Sequence, residues 1–230
     1  IKHRVREMGG DISIQNSILG KNNFDHKQVI ASSFANDNFK VNEWYLNYKA
    51  DFTKVNKNKH FFNINADFDV SNYTPSAPGR GDLEREVFQF GGSYTFNNDD
   101  WKLTAGVTAA IGDINDDQQF NIYPKLYTEK SLFKNYLIFY SGWSRRLQKN
   151  TYLNFALENP FINYDIMLEN SRVEDRMAGF KGAAGQFTYN ARFSNKVVKQ
   201  MPLFVNDSLD MKRFDVVYDK NTTVININVE

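Results

Sequence analysis

The chain has 230 residues, with 28 basic against 27 acidic side chains and a formal charge of +1; that balance excludes a nucleic-acid binder acting through a broad basic surface. Apolar residues make up 41% and aromatics 15%, enough to bury a core and to exclude a disordered or collagen-like chain. Without cysteine there is no disulfide framework, thiol nucleophile or thiolate metal site.

The apolar residues are interleaved with 28 Asn and never run to the roughly 18–20 that a membrane-spanning helix needs. Ile1-Lys2-His3-Arg4 opens the chain with neither Met nor an apolar signal segment, so a removed signal or an internal piece is expected. A weak alternation at 12–19 is followed by 20–38, read as one outer loop, with a strand at 28–35 as the alternative. At 44–52 the apolar side chains take every second place: Trp44, Leu46, Tyr48, Ala50 and Phe52 oppose Tyr45, Asn47, Lys49 and Asp51. From 61 to 71, Phe62, Ile64, Ala66, Phe68 and Val70 oppose Asn63, Asn65, Asp67, Asp69 and Ser71. A period of two is that of a strand with one apolar and one wet face.

The pattern continues through 88–96, turns at Asn97-Asn98-Asp99-Asp100 and returns over 101–111, which predicts a hairpin. Further strands are read at 120–128, 136–146, 172–182, 187–194, 211–219 and 225–229. The clearest segments approach the roughly 9–11 residues that a tilted membrane strand needs. Connections alternate short and long, with the long ones near 73–86, 112–119, 147–171 and 198–210, as in a barrel with short turns at one rim and long loops at the other. Aromatics near strand ends, at Trp44, Phe52, Phe62, Tyr73, Phe96 and Trp101, fit an interfacial girdle.

These features predict an all-β, antiparallel transmembrane β-barrel of about 11–12 visible strands, occupying 1–230 as one domain or a fragment of one. Single-chain bacterial barrels have even counts, whereas the favoured count here is eleven, and the chain stops inside an alternating segment, so part of a larger barrel is expected. In hydrocarbon every backbone N–H and C=O must be paired, and only a closed sheet achieves that. The polar set then faces inward, with Lys49, Asn63, Asn65, Asp67, Asp69, Gln89, Lys102, Thr104, Asn190 and Arg192 as lumen-lining candidates. The alternative is a soluble β-rich glycan binder with one solvated face.

Tyr123-Pro124-Lys125-Leu126, the stretch Asn135 to Arg145, the loop with Glu158-Asn159-Pro160, and Glu174 to Gly182 with its Gly179-Phe180-Lys181-Gly182 run, followed by Phe187 to Ala191, together resemble the C-terminal barrel half of TonB-dependent receptors. Its Asn, Lys and Phe richness is similar to Bacteroidota versions. The resemblance spans about 80 residues and implies a barrel of about twice this strand number, a bacterial outer-membrane location and solute uptake. No plug or TonB-contacting segment is recognisable in 1–230. An accessory barrel, serving as a membrane subunit of a secretion, barrel-assembly or uptake complex, is therefore the second reading.

Of other motifs, the three histidines, His3, His26 and His60, offer no triad, and a non-enzyme without cofactor or bound metal is expected. Asp113-Ile114-Asn115-Asp116-Asp117 resembles half a calcium loop, but Gln118 stands where Gly is needed and Pro124 where the bidentate Glu belongs. Arg80-Gly81-Asp82 lies in a Pro/Gly-rich loop, where turn chemistry explains it. Within the longest loop, residues 152–157 predict a short surface helix ended by Pro160. Leu153, Phe155, Leu157 and Phe161 are expected either to meet a partner subunit of the outer membrane or periplasm, or to fold over the barrel mouth. Arg145 and Arg146 are placed at the outer rim, facing anionic lipopolysaccharide or an acidic ligand.

Overall fold

A computed structural model describes the chain except residues 1–3, 17–23, 58, 77–80, 115–116 and 134–135. Its strands are β1 (Val5–Asn16), β2 (Phe24–Asp37), β3 (Asn42–Asn56), β4 (His60–Thr74), β5 (Leu83–Asn97), β6 (Trp101–Ile114), β7 (Asp117–Phe133), β8 (Leu137–Gln148), β9 (Ser171–Ala184), β10 (Phe187–Lys199), β11 (Met201–Asn206), β12 (Phe214–Asp219) and β13 (Thr222–Val229). A single helix among the described residues, α1 (Tyr152–Glu158), lies between β8 and β9. The first ten strands pair in chain order, every pair antiparallel, and β13 closes on β10 to complete an 11-stranded sheet. The fold class is all-β, an antiparallel membrane-barrel sheet. β1 and β13 each have one neighbour, so both edges lack a strand partner among the described residues.

The register carries the alternation from β3 through β5, and a bulge between Ser131 and Phe133 shifts it where β7 meets β8. Leu46 faces Val70, Tyr48 faces Phe68 and Phe68 faces Phe88, while Asn47 faces Asp69 and Asp67 faces Gln89. One face is therefore apolar and the other polar through β3, β4 and β5, whereas Arg145, Glu174 and Arg176 interrupt the apolar face in β8 and β9. The apolar face stands open: Phe62, Ile64, Phe90 and Val107 are each 50% exposed.

Several sequence expectations are corrected. Residues 24–37 of the expected outer loop are strand β2, turned tightly into β3 at 38–41, where Lys40 takes a positive φ of 68° and Asp37 Oδ1 accepts from the backbone N–H groups of Phe39 and Val41. The long loop expected at 112–119 is replaced by extensions of β6 and β7, which pair as far as Ile114 with Asp117. Residues 214–219 are not a wall strand; β12 pairs with β11 as a separate hairpin inside the last connection. The count of eleven survives in the main sheet because the missed β2 and the misplaced 211–219 cancel. Tyr73, expected in a girdle, is 2% exposed on the polar face, whereas Trp44, Phe62 and Trp101 are exposed on the apolar one. Asn115, Asp116 and Arg80 lie outside the described residues, so the calcium-like and adhesion-like motifs are described only in part.

The Gly179-Phe180-Lys181-Gly182 run has a steric reason. A side chain at Gly179 would stand 2.6 Å from the Tyr140 ring, and one at Gly182 would run into the Tyr136 carbonyl oxygen. Between them Phe180 packs on Phe139 at 5.4 Å, and Lys181 reaches Glu129 at 2.6 Å on the polar face.

Candidate functional site

Strand parity puts turns 57–59, 98–100 and 185–186 at one rim. The other rim carries the turn 38–41 and the connections 75–82, 149–170 and 200–221. Loops 149–170 and 200–221 fold together into a cap. Val41, Tyr73, Tyr152, Phe155, Ala156, Ile162, Ile166, Leu168 and Val216 form its core. A bridge between Ile162 and Phe214 joins the two connections, with the Asn163 N–H donating to the Phe214 carbonyl at 2.7 Å. The Asn163 side-chain amide donates to Asp207 at 3.0 Å and to Asp215 at 2.9 Å.

Polar-face side chains fasten this cap to the sheet. Buried Glu43 accepts the Tyr152 N–H on Oε1 at 3.0 Å and the Leu153 N–H on Oε2 at 2.8 Å, meeting two of the donors that every helix start leaves open. Thr151, the N-cap, accepts from Asn154 at 3.2 Å. Arg85, 2% exposed, donates to the Asn150 carbonyl at 2.5 Å and to the Asn170 side chain. Tyr73 donates to the Tyr164 carbonyl at 3.0 Å, and Tyr152 to Asp37 at 2.6 Å. Burial and the Asp37 carboxylate drive the Tyr152 phenol's pKa upward, and burial pushes that of Tyr218 up to about 12.

Away from the cap the polar face is a ladder of paired charges and amides. The Asn47 amide donates to Asp67 at 2.7 Å and to Asp69 at 2.9 Å, Tyr45 donates to Asp69, and Lys49 stands 3.7 Å from Asp67. Asn63 donates to Thr53 at 3.1 Å. Asn65 occupies the space a side chain at Gly91 would need, and Gln89 meets the Leu147 backbone at 3.4 Å. Thr104 lies 2.8 Å from Thr95, and Lys102 stands over the Tyr127 ring at 6.0 Å. Asn190 accepts from Tyr140 at 2.8 Å, and Arg192 pairs with Asp175 at 3.4 Å. Among the described residues no group of His, Asp or Glu converges as a metal site requires.

All ten lumen-lining candidates thus share one face. Lys49, Asp67 and Asp69 form one cluster, Lys102 and Thr104 a second patch, and Asn190 and Arg192 a third. The sequence reading missed the fastening residues Glu43 and Arg85, whose partners lie 109 and 65 positions away. It also missed Glu129 and Lys181, because Tyr123 and Tyr127 on the polar face blur the alternation of β7. Of the four apolar loop residues, Leu153 at 9% and Phe155 at 4% exposure are buried, and Phe155 lies in the cap core. Leu157 and Phe161, at 65% and 57%, remain exposed. The helix stops at Asn159, which donates its N–H to the Phe155 carbonyl, one residue before Pro160.

No known family's sequence profile matches the chain, and no curated protein matches it. Solved structures do. The siderophore receptor PirA from Pseudomonas aeruginosa superposes with a TM-score of 0.71 at 10% identity over 99% of this chain and 44% of its own. The FrpB iron transporter from Neisseria meningitidis gives 0.70 at 9%, over 99% and 41%, and the copper transporter OprC gives 0.66 at 10%, over 97% and 43%. The chain therefore spans under half the length of these structures and has the wall fold of such receptor and transporter barrels.

Proposed function

We propose that the sheet is a wall segment of an outer-membrane barrel that passes or takes up a solute, with the apolar face in lipid and the polar face lining the path. The observation that carries this is the strand parity that keeps the ten polar candidates on one face and exposed Phe90, Val107 and Phe193 on the other. Lipid cannot satisfy the free edges of β1 and β13, so further strands must close the barrel, in keeping with neighbours more than twice as long. The TonB-dependent-receptor-like character and the Bacteroidota type belong to the same reading. The first draws on the Gly179 to Gly182 run and the second on the Asn, Lys and Phe richness.

Conductance of the full-length protein in planar bilayers, together with solute uptake into liposomes, tests the reading. A solute-specific flux supports it; a protein that inserts yet neither conducts nor transports overturns it. The exposed Leu157 and Phe161 on the cap favour the second reading, a barrel that holds partner subunits. Stoichiometric co-purification lost in a Leu157→Ser/Phe161→Ser variant would favour it.

A further inference from the structure

The β7–β8 ladder ends at Lys125 paired with Ser144; beyond it toward the cap, β7 pairs only with β6 and β8 only with β9. The strands part there, and the gap is a cavity of about 180 Å³. Arg145, Arg146, Arg172 and Lys199 converge on it. The only carboxylate in its lining, Glu174, is already engaged by Trp143 at 2.9 Å, Arg145 at 2.6 Å and Arg176 at 2.6 Å. Three cations are therefore left without a carboxylate among the described residues.

Three polar atoms in the same lining are buried and have no hydrogen-bond partner: the Tyr123 hydroxyl, the Asn121 side-chain nitrogen and Arg172 Nε. Tyr123 is 5% exposed. The two nitrogens can only donate and the hydroxyl can donate, and a buried donor left unmet is costly. A ligand that satisfies all three brings acceptor oxygens, the three cations favour one that is negatively charged, and guanidinium groups match the geometry of phosphate oxygens.

We propose that this split is a binding site for a phosphate-type oxyanion, with Arg146, Arg172 and Lys199 supplying charge and Tyr123 and Asn121 the fixed donors. Arg145 and Arg146 are both exposed where they line the cavity. The phosphate can arrive as a free anion from the polar side or as the headgroup of an anionic outer-leaflet lipid. The site does not depend on the barrel conducting.

The test uses the full-length protein in nanodiscs. Calorimetry with inorganic phosphate measures the free anion; nanodiscs containing bis-phosphorylated lipid A, against dephosphorylated lipid A, measure the headgroup. Arg172→Gln should weaken binding about tenfold and Tyr123→Phe about threefold, by loss of one charged and one neutral hydrogen bond. Because Arg172 and Tyr123 are partly or fully buried, Arg146→Gln/Lys199→Gln, at two exposed side chains, checks the site without disturbing the packing. Saturable binding in either arm that these variants weaken supports the site and identifies its source. Absence of binding in both arms, or binding that the variants leave unchanged, overturns it.

Discussion

Removing the Glu43 carboxylate should open the cap without unfolding the wall. Glu43 accepts two backbone N–H groups at the start of α1 from a strand 109 residues earlier. A hydrogen bond to a charged group contributes about 1.5–3 kcal/mol, and opened amides regain water, so Glu43→Ala should lower cap stability by about 2–4 kcal/mol. Glu43→Gln, which keeps one acceptor oxygen, should lose about half of that. At tenfold per 1.4 kcal/mol, hydrogen exchange at Tyr152 and Leu153 should accelerate roughly 30- to 700-fold in the Ala variant. Amides of the β5–β6 pair should exchange as before, because the wall ladder is untouched. Unchanged exchange at Tyr152 and Leu153 would refute the assignment of Glu43 as the helix anchor.

Further outcomes follow from particular contacts. Gly182→Val places a side chain against the Tyr136 carbonyl, where backbone must move; a loss of about 1–3 kcal/mol is expected as a lower urea midpoint in detergent, while Ala183→Val should cost less. Because folding raises the Tyr218 phenol's pKa, its contribution is complete below pH ~10. That contribution is withdrawn as the pH climbs toward about 12, so protease cleavage within 149–170 should rise over that window and not at pH 5–9. Asp67→Lys/Asp69→Lys reverses two charges on the polar face. In a conducting barrel it should shift the reversal potential of a KCl gradient toward anion preference, and an unshifted potential would place that face away from the path.

The wall was legible in the sequence wherever apolar and polar side chains alternate strictly, as in 44–52 and 61–71. There each second residue meets the same environment, so the period records the face directly. It failed in β2, where Ala31, Ser32 and Ser33 are small on both faces, and in β12, where Val216 and Tyr218 alternate like a wall strand but pack into the cap. The alternation reports that one face of a strand is buried, not what buries it. The split between β7 and β8 left no trace, because Arg145, Arg146, Arg172 and Lys199 are dispersed along the chain and meet only through the parting of two strands. Glu43 and Arg85 looked like ordinary polar-face residues, since their partners are backbone groups of a distant loop.

The central claim is that alternate residues along each wall strand meet lipid and water. Single spin labels placed in turn at Phe88, Gln89, Phe90, Val107 and Thr108 of the full-length protein in vesicles test it through collision with oxygen and with a water-soluble nickel complex. The account predicts high oxygen and low nickel accessibility at Phe88, Phe90 and Val107, with the reverse at Gln89 and Thr108. Uniform nickel accessibility at all five positions would contradict it.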